Sequence, residues 1–341
     1  MQDFTLNQRT LRHLEKALSD TQSLNLVTHD LPGIGRIIDF GVKACGGIQA
    51  GTLLSEICMG GLAKVNLVTS IGNQDSRNAE WKYMPAIQVA TDQPLLACMA
   101  CQYAGWPISV GKYFAMGSGP MRLNRGREPV LDKYELSGTE SALIGVLESN
   151  ELPGNDVFDL VTRECRLSEF KRDETAANKG GATPPWITLC VAPTASLAGM
   201  IQIVARSVEA TMHKLFELDF NLRLVKHAWG LAPLPPSGGN ALTAIGRSND
   251  AILYGGEVQL WLDTSDQEID SLAVSVPSNS SPDYGRPFRE IYERAGHDFY
   301  AIDKLLFSAA RVTLTSVRTG YTKTGGRIAA DLLADSFADY E

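Results

Sequence analysis

Apolar residues fall at helical spacing in residues 7–19, with Leu11, Leu14, Ala17 and Leu18 on one side. Residues 46–61 repeat the pattern between glycines, turning Ala50, Leu53, Leu54 and Ile57 inward. The most sustained periodicity runs through residues 195–218, which read as one long helix introduced by Pro193. Thr194 or Ser196 can cap it, because a hydroxyl accepts from an orphan N–H of the first turn. Leu197, Ile201, Val204, Val208 and Leu215 make its buried stripe, and Gln202, Arg206, Glu209 and His213 make a second, polar one. Helices are also expected around Cys98, at 155–162, 286–293 and 303–307, and at the terminus, 328–338.

Short alternating or apolar runs predict strands at 24–28, 36–40, 63–68, 85–91, 107–110, 113–116, 142–147, 186–191 and 311–316, with 251–262 as an extended strand or strand pair. Residues 70–80, 119–136, 171–185 and 267–283 are polar or loop-rich. Helices and strands mix without a regular βαβ alternation. The expected class is therefore α+β, with mixed sheets and helices packed on them.

Length, at 341 residues, points to roughly two domains, with one large domain as the alternative. The boundary is placed near residue 140, giving 1–140 and 141–341, with segments exchanged between them. Lys and Arg total 31 against 39 Asp and Glu, a formal charge of -8. That balance argues against broad binding to nucleic acid or an anionic membrane, and leaves room for a small basic pocket. No apolar run reaches the roughly 18 residues a membrane helix needs. The charged first twenty residues lack the apolar core of a signal peptide, so the cytoplasm is the expected location.

Six cysteines are then read as buried thiols. Cys98 and Cys101 form a CxxC, open to two readings: core residues of one helix, or a redox pair. The histidines show no HxH or HExxH spacing, so no metal site is expected. There is no GxSxG elbow and no GxxxxGK[ST] loop. Glycine-rich turns stand beside apolar runs at 44–47, 59–61, 116–120 and 254–256. They read as structural turns, or as backbone that lets a phosphate or flat ring approach. Residues 246–250 and 284–288 add Arg, Asn and Asp in turn contexts, suited to an anion or to a helix start.

Arg206 and Glu209 are three apart and their side chains can meet. Two readings stay open on the residues alone. One is a solvated ion pair worth a few tenths of a kcal/mol. The other is a cleft-facing carboxylate held by an arginine, usable as a general base.

Several strings resemble methenyltetrahydromethanopterin cyclohydrolases in combination, nearly end to end. They are Gly46-Gly47-Ile48-Gln49-Ala50-Gly51, Ser55-Glu56-Ile57-Cys58-Met59-Gly60-Gly61-Leu62-Ala63, Ala104-Gly105-Trp106 and Tyr113-Phe114-Ala115-Met116-Gly117-Ser118-Gly119-Pro120. Leu147-Glu148-Ser149, Ala192-Pro193-Thr194-Ala195-Ser196, Ala205-Arg206 with Val208-Glu209, Ile252-Leu253-Tyr254-Gly255-Gly256, Asp283-Tyr284-Gly285 and Asp298-Phe299-Tyr300 follow.

The resemblance implies a two-domain α+β subunit with a large cleft, assembled as a homotrimer. It implies reversible hydrolysis of an N5,N10-methenyl-tetrahydromethanopterin to the N5-formyl compound, with the pterin derivative as coenzyme-substrate and no metal or prosthetic group. The family's glutamate and arginine match Glu209, as general base, and Arg206, as its orienter. Gly60, Gly61, Gly117, Ser118, Gly119, Ser196, Tyr254 and Gly255 are the candidate substrate-binding residues. Arg122, Arg125 and Arg127 are either contacts for a phosphorylated tail or solvated loop charges. A reduced-pterin carrier without turnover, a folate-using cyclohydrolase and a thiol oxidoreductase through Cys98 and Cys101 are the alternatives.

Overall fold

The computed structural model describes residues 2–3, 5–19, 21–69, 84–103, 105–167 and 187–338. The loops expected at 70–80 and 171–185 lie outside the described residues, as does Trp186. The chain forms two compact units: residues 1–61 with 100–199, and residues 62–99 with 200–341.

In the first unit, β1 (Gln2–Asp3) pairs in parallel with β8 (Leu136–Ser137). The main sheet has six strands, with β2 (Val27–Leu31), β3 (Gly35–Asp39), β6 (Trp106–Val110), β7 (Tyr113–Ser118), β9 (Leu143–Glu148) and β10 (Ile187–Ala192) in the order β2-β3-β10-β9-β7-β6. β3, β10 and β9 run parallel, and the remaining pairings are antiparallel.

Every residue of β10 is buried, as expected for a central strand covered on both faces. Period-two alternation divides it: Ile187, Leu189 and Val191 join Val157, Phe158 and Val161 of the Asn155–Glu164 helix. Cys190 and Ala192 face the other core with Leu14 of the Leu6–Leu18 helix and Leu54 and Ile57 of the Ile48–Cys58 helix. The four residues expected to turn inward on that last helix are all buried.

The second unit holds β4 (Ala63–Thr69), β5 (Pro85–Thr91), β11 (Val225–Pro233), β12 (Glu257–Leu262), β13 (Arg311–Ser316) and β14 (Thr322–Gly326), in the order β14-β13-β12-β11-β5-β4. Among its described strands only β12 and β13 pair in parallel. Val258, Leu260 and Leu262 are buried while Glu257, Gln259 and Trp261 are part-exposed, so β12 covers a core with one face. Both sheets are mixed, and the α+β class holds.

Several expected elements differ, among them the 24–28 strand, which is instead Val27–Leu31 after a Thr21–Leu24 turn of helix. The 195–218 helix is two helices, Leu197–Val204 and Ser207–Glu217, separated at Ala205 and Arg206. Residues 251–253 end a helix, Ala241–Leu253, and only Glu257–Leu262 is strand. The motif at 246–250 is therefore helical interior. Asp250 is fully buried there, accepting from the Phe288 N–H at 2.8 Å and the Ser336 hydroxyl at 2.6 Å. Burial pushes its carboxyl up to about 7 against those two bonds. Residues 267–283 are no polar excursion, since Asp266–Ser275 is a helix capped by Ser265.

Candidate active site

The polar stripe of the 195–218 segment is not a solvated face. Gln202, Arg206 and Glu209 are all buried, Arg206 at 9% and Glu209 at 8% exposure. The chain bends at this point because the Arg206 N–H bonds back three residues, to Ile203 O at 2.9 Å. Arg206 thus becomes the N-terminal flank of the Ser207–Glu217 helix, with φ −86° and ψ 8°, and its carbonyl accepts from Ala210. Glu209 is third in that helix. It stands in the first turn, at the positive end of the helix dipole, three residues from Arg206. Burying each of these two chargeable groups carries a desolvation cost.

Neighbouring contacts fix this helix along its length. Thr211 Oγ1 donates to Ser207 O at 3.0 Å and accepts from the Ala309 N–H at 3.2 Å. Lys214, fully buried, donates to Pro277 O at 2.6 Å and Ser280 Oγ at 2.7 Å. Burial pushes its ammonium down to about 8, with Asp303 acting the other way.

Gly230 of β11 leaves room for the helix start: a Cβ there would lie 2.5 Å from Ser207 Oγ and 2.8 Å from Val208 Cγ2. Gly230→Ala is expected to cost about 1–3 kcal/mol and to displace the turn carrying Arg206 and Glu209. A displacement near 1 Å lowers kcat by up to about 10²-fold. Thermal unfolding with steady-state kinetics checks this, and wild-type values of both would refute it.

The other candidate residues have identifiable local roles. Gly60 and Gly61, at φ +68° and +64°, end the Ile48–Cys58 helix, and their N–H groups donate to Ile57 O and Glu56 O. Gly117 and Ser118 end β7, where Ser118 is buried and 3.2 Å from Cys58 Sγ. Gly119 donates to Cys101 O at 2.7 Å. Ser196 caps the Leu197–Val204 helix by accepting from Gly199 at 3.1 Å. These six belong to the first unit; Arg206, Glu209, Tyr254 and Gly255 belong to the second. Tyr254 is fully buried, its hydroxyl donating to Arg286 O and its ring meeting Tyr284 edge-on. Gly255 packs so closely that a Cβ would lie 2.7 Å from Pro233 Cγ.

The arginines at 122–127 correct the loop reading. Residues 121–125 and 129–133 are short helices. Arg122 is fully buried, 3.2 Å from Glu128 and over the Tyr103 ring. Arg125 bonds Glu128 at 3.1 Å and lies over Trp106. Only Arg127 keeps a half-exposed side chain, paired to Glu164 at 2.7 Å.

Cys98 and Cys101 are buried on one wide helical turn, Leu95–Gln102, and burial pushes the Cys101 thiol up, away from the reactive thiolate. Cys45 is exposed, which corrects the reading of six buried thiols. Among the described residues no group of three or more His, Cys, Asp or Glu is placed to hold a metal ion.

Two carboxylates were not singled out as candidates, Asp39 being in no motif and Glu148 standing only within the Leu147-Glu148-Ser149 string. Asp39, at the carboxyl end of β3, is fully buried and accepts from the N–H groups of Gly41, Val42, Lys43 and Ala44 at 2.6–2.9 Å. Glu148, at the carboxyl end of β9, accepts from the Thr194 hydroxyl. Both stand where parallel strands open onto loops, the usual place for ligand-facing groups. The available signals were a lone Asp or Glu closing an apolar strand and, for Glu148, its place in a family string.

A family model described as Cyclohydrolase (MCH) matches residues 5–337, nearly the whole chain. The chain belongs to this cyclohydrolase family. Members similar to it include a methenyltetrahydromethanopterin cyclohydrolase of Rhodopirellula baltica, 43% identical over 89% of this chain and 86% of the relative. One from Methylobacillus flagellatus is 39% identical over 98% and 95% of the two chains. A third, from Methanosarcina mazei, is 36% identical over 95% of each. The cyclohydrolase match thus spans both units.

Proposed function

We propose that this chain is a hydrolase of a cyclic amidine C–N bond, converting an N5,N10-methenyl-tetrahydromethanopterin to the N5-formyl compound, with Glu209 as general base and Arg206 orienting it. The observation that carries the assignment of residues is their shared burial at one helix start, within a chain of the cyclohydrolase family.

The methenyl carbon lies between two nitrogens that share a positive charge, so it is already electrophilic. A buried carboxylate favours that cation and takes a proton from the attacking water. Arg206 holds the carboxylate or the water and offsets charge developing on oxygen. Water supplies two protons: N10 keeps one as its bond to carbon breaks, the other is released, and the formyl group stays on N5. The reaction is reversible and serves one-carbon metabolism in either the oxidative or the reductive direction.

We place the protein in the cytoplasm as a homotrimer. Among the described residues no helix is long and apolar enough to cross a membrane, and sedimentation of the purified chain tests the assembly.

The deciding experiment follows the absorbance of methenyl-tetrahydromethanopterin with purified protein. Catalysed decay is the expected result. Tight binding without a rate above buffer would replace the enzyme by a carrier. A higher kcat/KM on methenyl-tetrahydrofolate would overturn the choice of pterin.

A further inference from the structure

The proposed hydrolysis turns a cation and a neutral water into a neutral product, so each turnover sends one proton to solvent. Glu209 is 8% exposed, and the proton it collects needs a way out. The Ser207–Glu217 helix carries His213 one turn beyond Glu209, and Glu217 one turn beyond His213. Residues four apart share a helix face, with Cβ atoms about 5–6 Å apart.

His213 Nε2 lies 3.5 Å from Glu217 Oε1, and Lys304 Nζ lies 3.5 Å from the same oxygen. Exposure rises steadily along this line: the side chains of His213, Glu217 and Lys304 are 13%, 22% and 60% exposed. The groups shown around the imidazole are Glu217 on its own helix, Lys304 on the neighbouring Lys304–Leu306 turn, and the edge-on ring of Phe307, 6.5 Å between centroids, with Glu209 one helical turn before His213.

Resting on the reaction proposed above, we infer that His213 relays the released proton from Glu209 past Glu217 to solvent. It does not touch the substrate; it acts by restoring Glu209 to its basic form. The Glu209 carboxyl gives its proton to Nδ1 of the neutral ring, and the Nε2 proton leaves toward Glu217 and water. One proton enters and one leaves, and exchange with water returns the starting tautomer. Burial holds the imidazole below its ordinary basicity; Glu217 pulls it up and Lys304 pushes it down. The ring therefore rests neutral and passes on a proton quickly. In the reverse reaction the same line delivers a proton inward.

The test is His213→Gln in the full chain, assayed on methenyl-tetrahydromethanopterin at several imidazole concentrations, with the uncatalysed rate subtracted. The expected result is a kcat lowered by about tenfold or more, a KM within about twofold of wild type, and saturable rescue of kcat by imidazole. Wild-type kcat should not respond to the buffer. An unchanged kcat, or a loss that no buffer restores, would overturn the relay. If His213→Gln does not fold, Glu217→Gln supplies the same readout from a more exposed position. There a buffer-dependent kcat supports the relay, and wild-type behaviour overturns it. Absence of turnover in wild type itself would instead remove the proposed reaction.

Discussion

Glu209→Gln is expected to fold normally and to lose about 10²- to 10⁴-fold in kcat for hydrolysis of the methenyl cation. The amide matches the carboxylate in volume, so the packing around the helix start survives. It cannot take a proton from water, and it no longer offers a negative charge to a cationic substrate. KM should therefore rise modestly while kcat falls steeply, which separates a base from a residue that only binds. Absorbance kinetics give both constants, and circular dichroism reports the fold. Turnover near the wild-type rate would place the base elsewhere.

The largest stability effect is expected at Asp39. Its two oxygens accept from four successive backbone N–H groups, Oδ1 from Gly41 and Val42, Oδ2 from Lys43 and Ala44. Asp39→Asn keeps the shape but turns an NH2 group toward two of those donors. Loss of the bonds, with donors left buried, should destabilise the protein by about 2–4 kcal/mol, measured by urea unfolding at neutral pH. A change under about 0.5 kcal/mol would refute the assignment.

The sign of the pH effect follows from the same contacts. Burial alone would raise the Asp39 carboxyl, but the four N–H groups outweigh it and hold it below the ordinary carboxylate value. Its contribution is complete above the unfolded value of about 3.9 and is lost as pH falls through the lower folded one. Asp39→Asn should flatten that acid limb of the stability curve.

Elements were legible where one local signal dominated. Pro85–Thr91 and Arg311–Ser316 have the expected bounds, and β-branched residues recur through both runs. The break at Arg206 left no mark in the sequence, since neither Pro nor Gly occurs at 205 or 206 and the apolar spacing runs through. It is set by packing, with Gly230 of a distant strand admitting Ser207 and Val208. The Ala241–Leu253 helix was obscured by Gly246, Ser248, Asn249 and Asp250, poor helix formers whose burial and hydrogen bonds override propensity.

Arg122 and Arg125 looked like loop charges because the Tyr103 and Trp106 rings and Glu164 lie elsewhere in the chain and meet them only through folding, Glu128 alone being local. Arg206 and Glu209 stood out by spacing and by family resemblance. Their burial, which sets them apart from a solvated surface pair, could be read only from the structure.

The strand orders also bear on how the chain is made. β10 lies between β3 and β9, so the first sheet keeps a gap at its centre until residue 192 has been synthesised. In the second sheet, β5 pairs with β11, Val89 meeting Gly230. At ordinary translation speeds the β4–β5 pair waits on the order of ten seconds for that partner, with one edge open. An open edge is a template for pairing with another chain. The hazardous interval for this protein is thus its own emergence from the ribosome, when two half-built sheets depend on residues not yet translated.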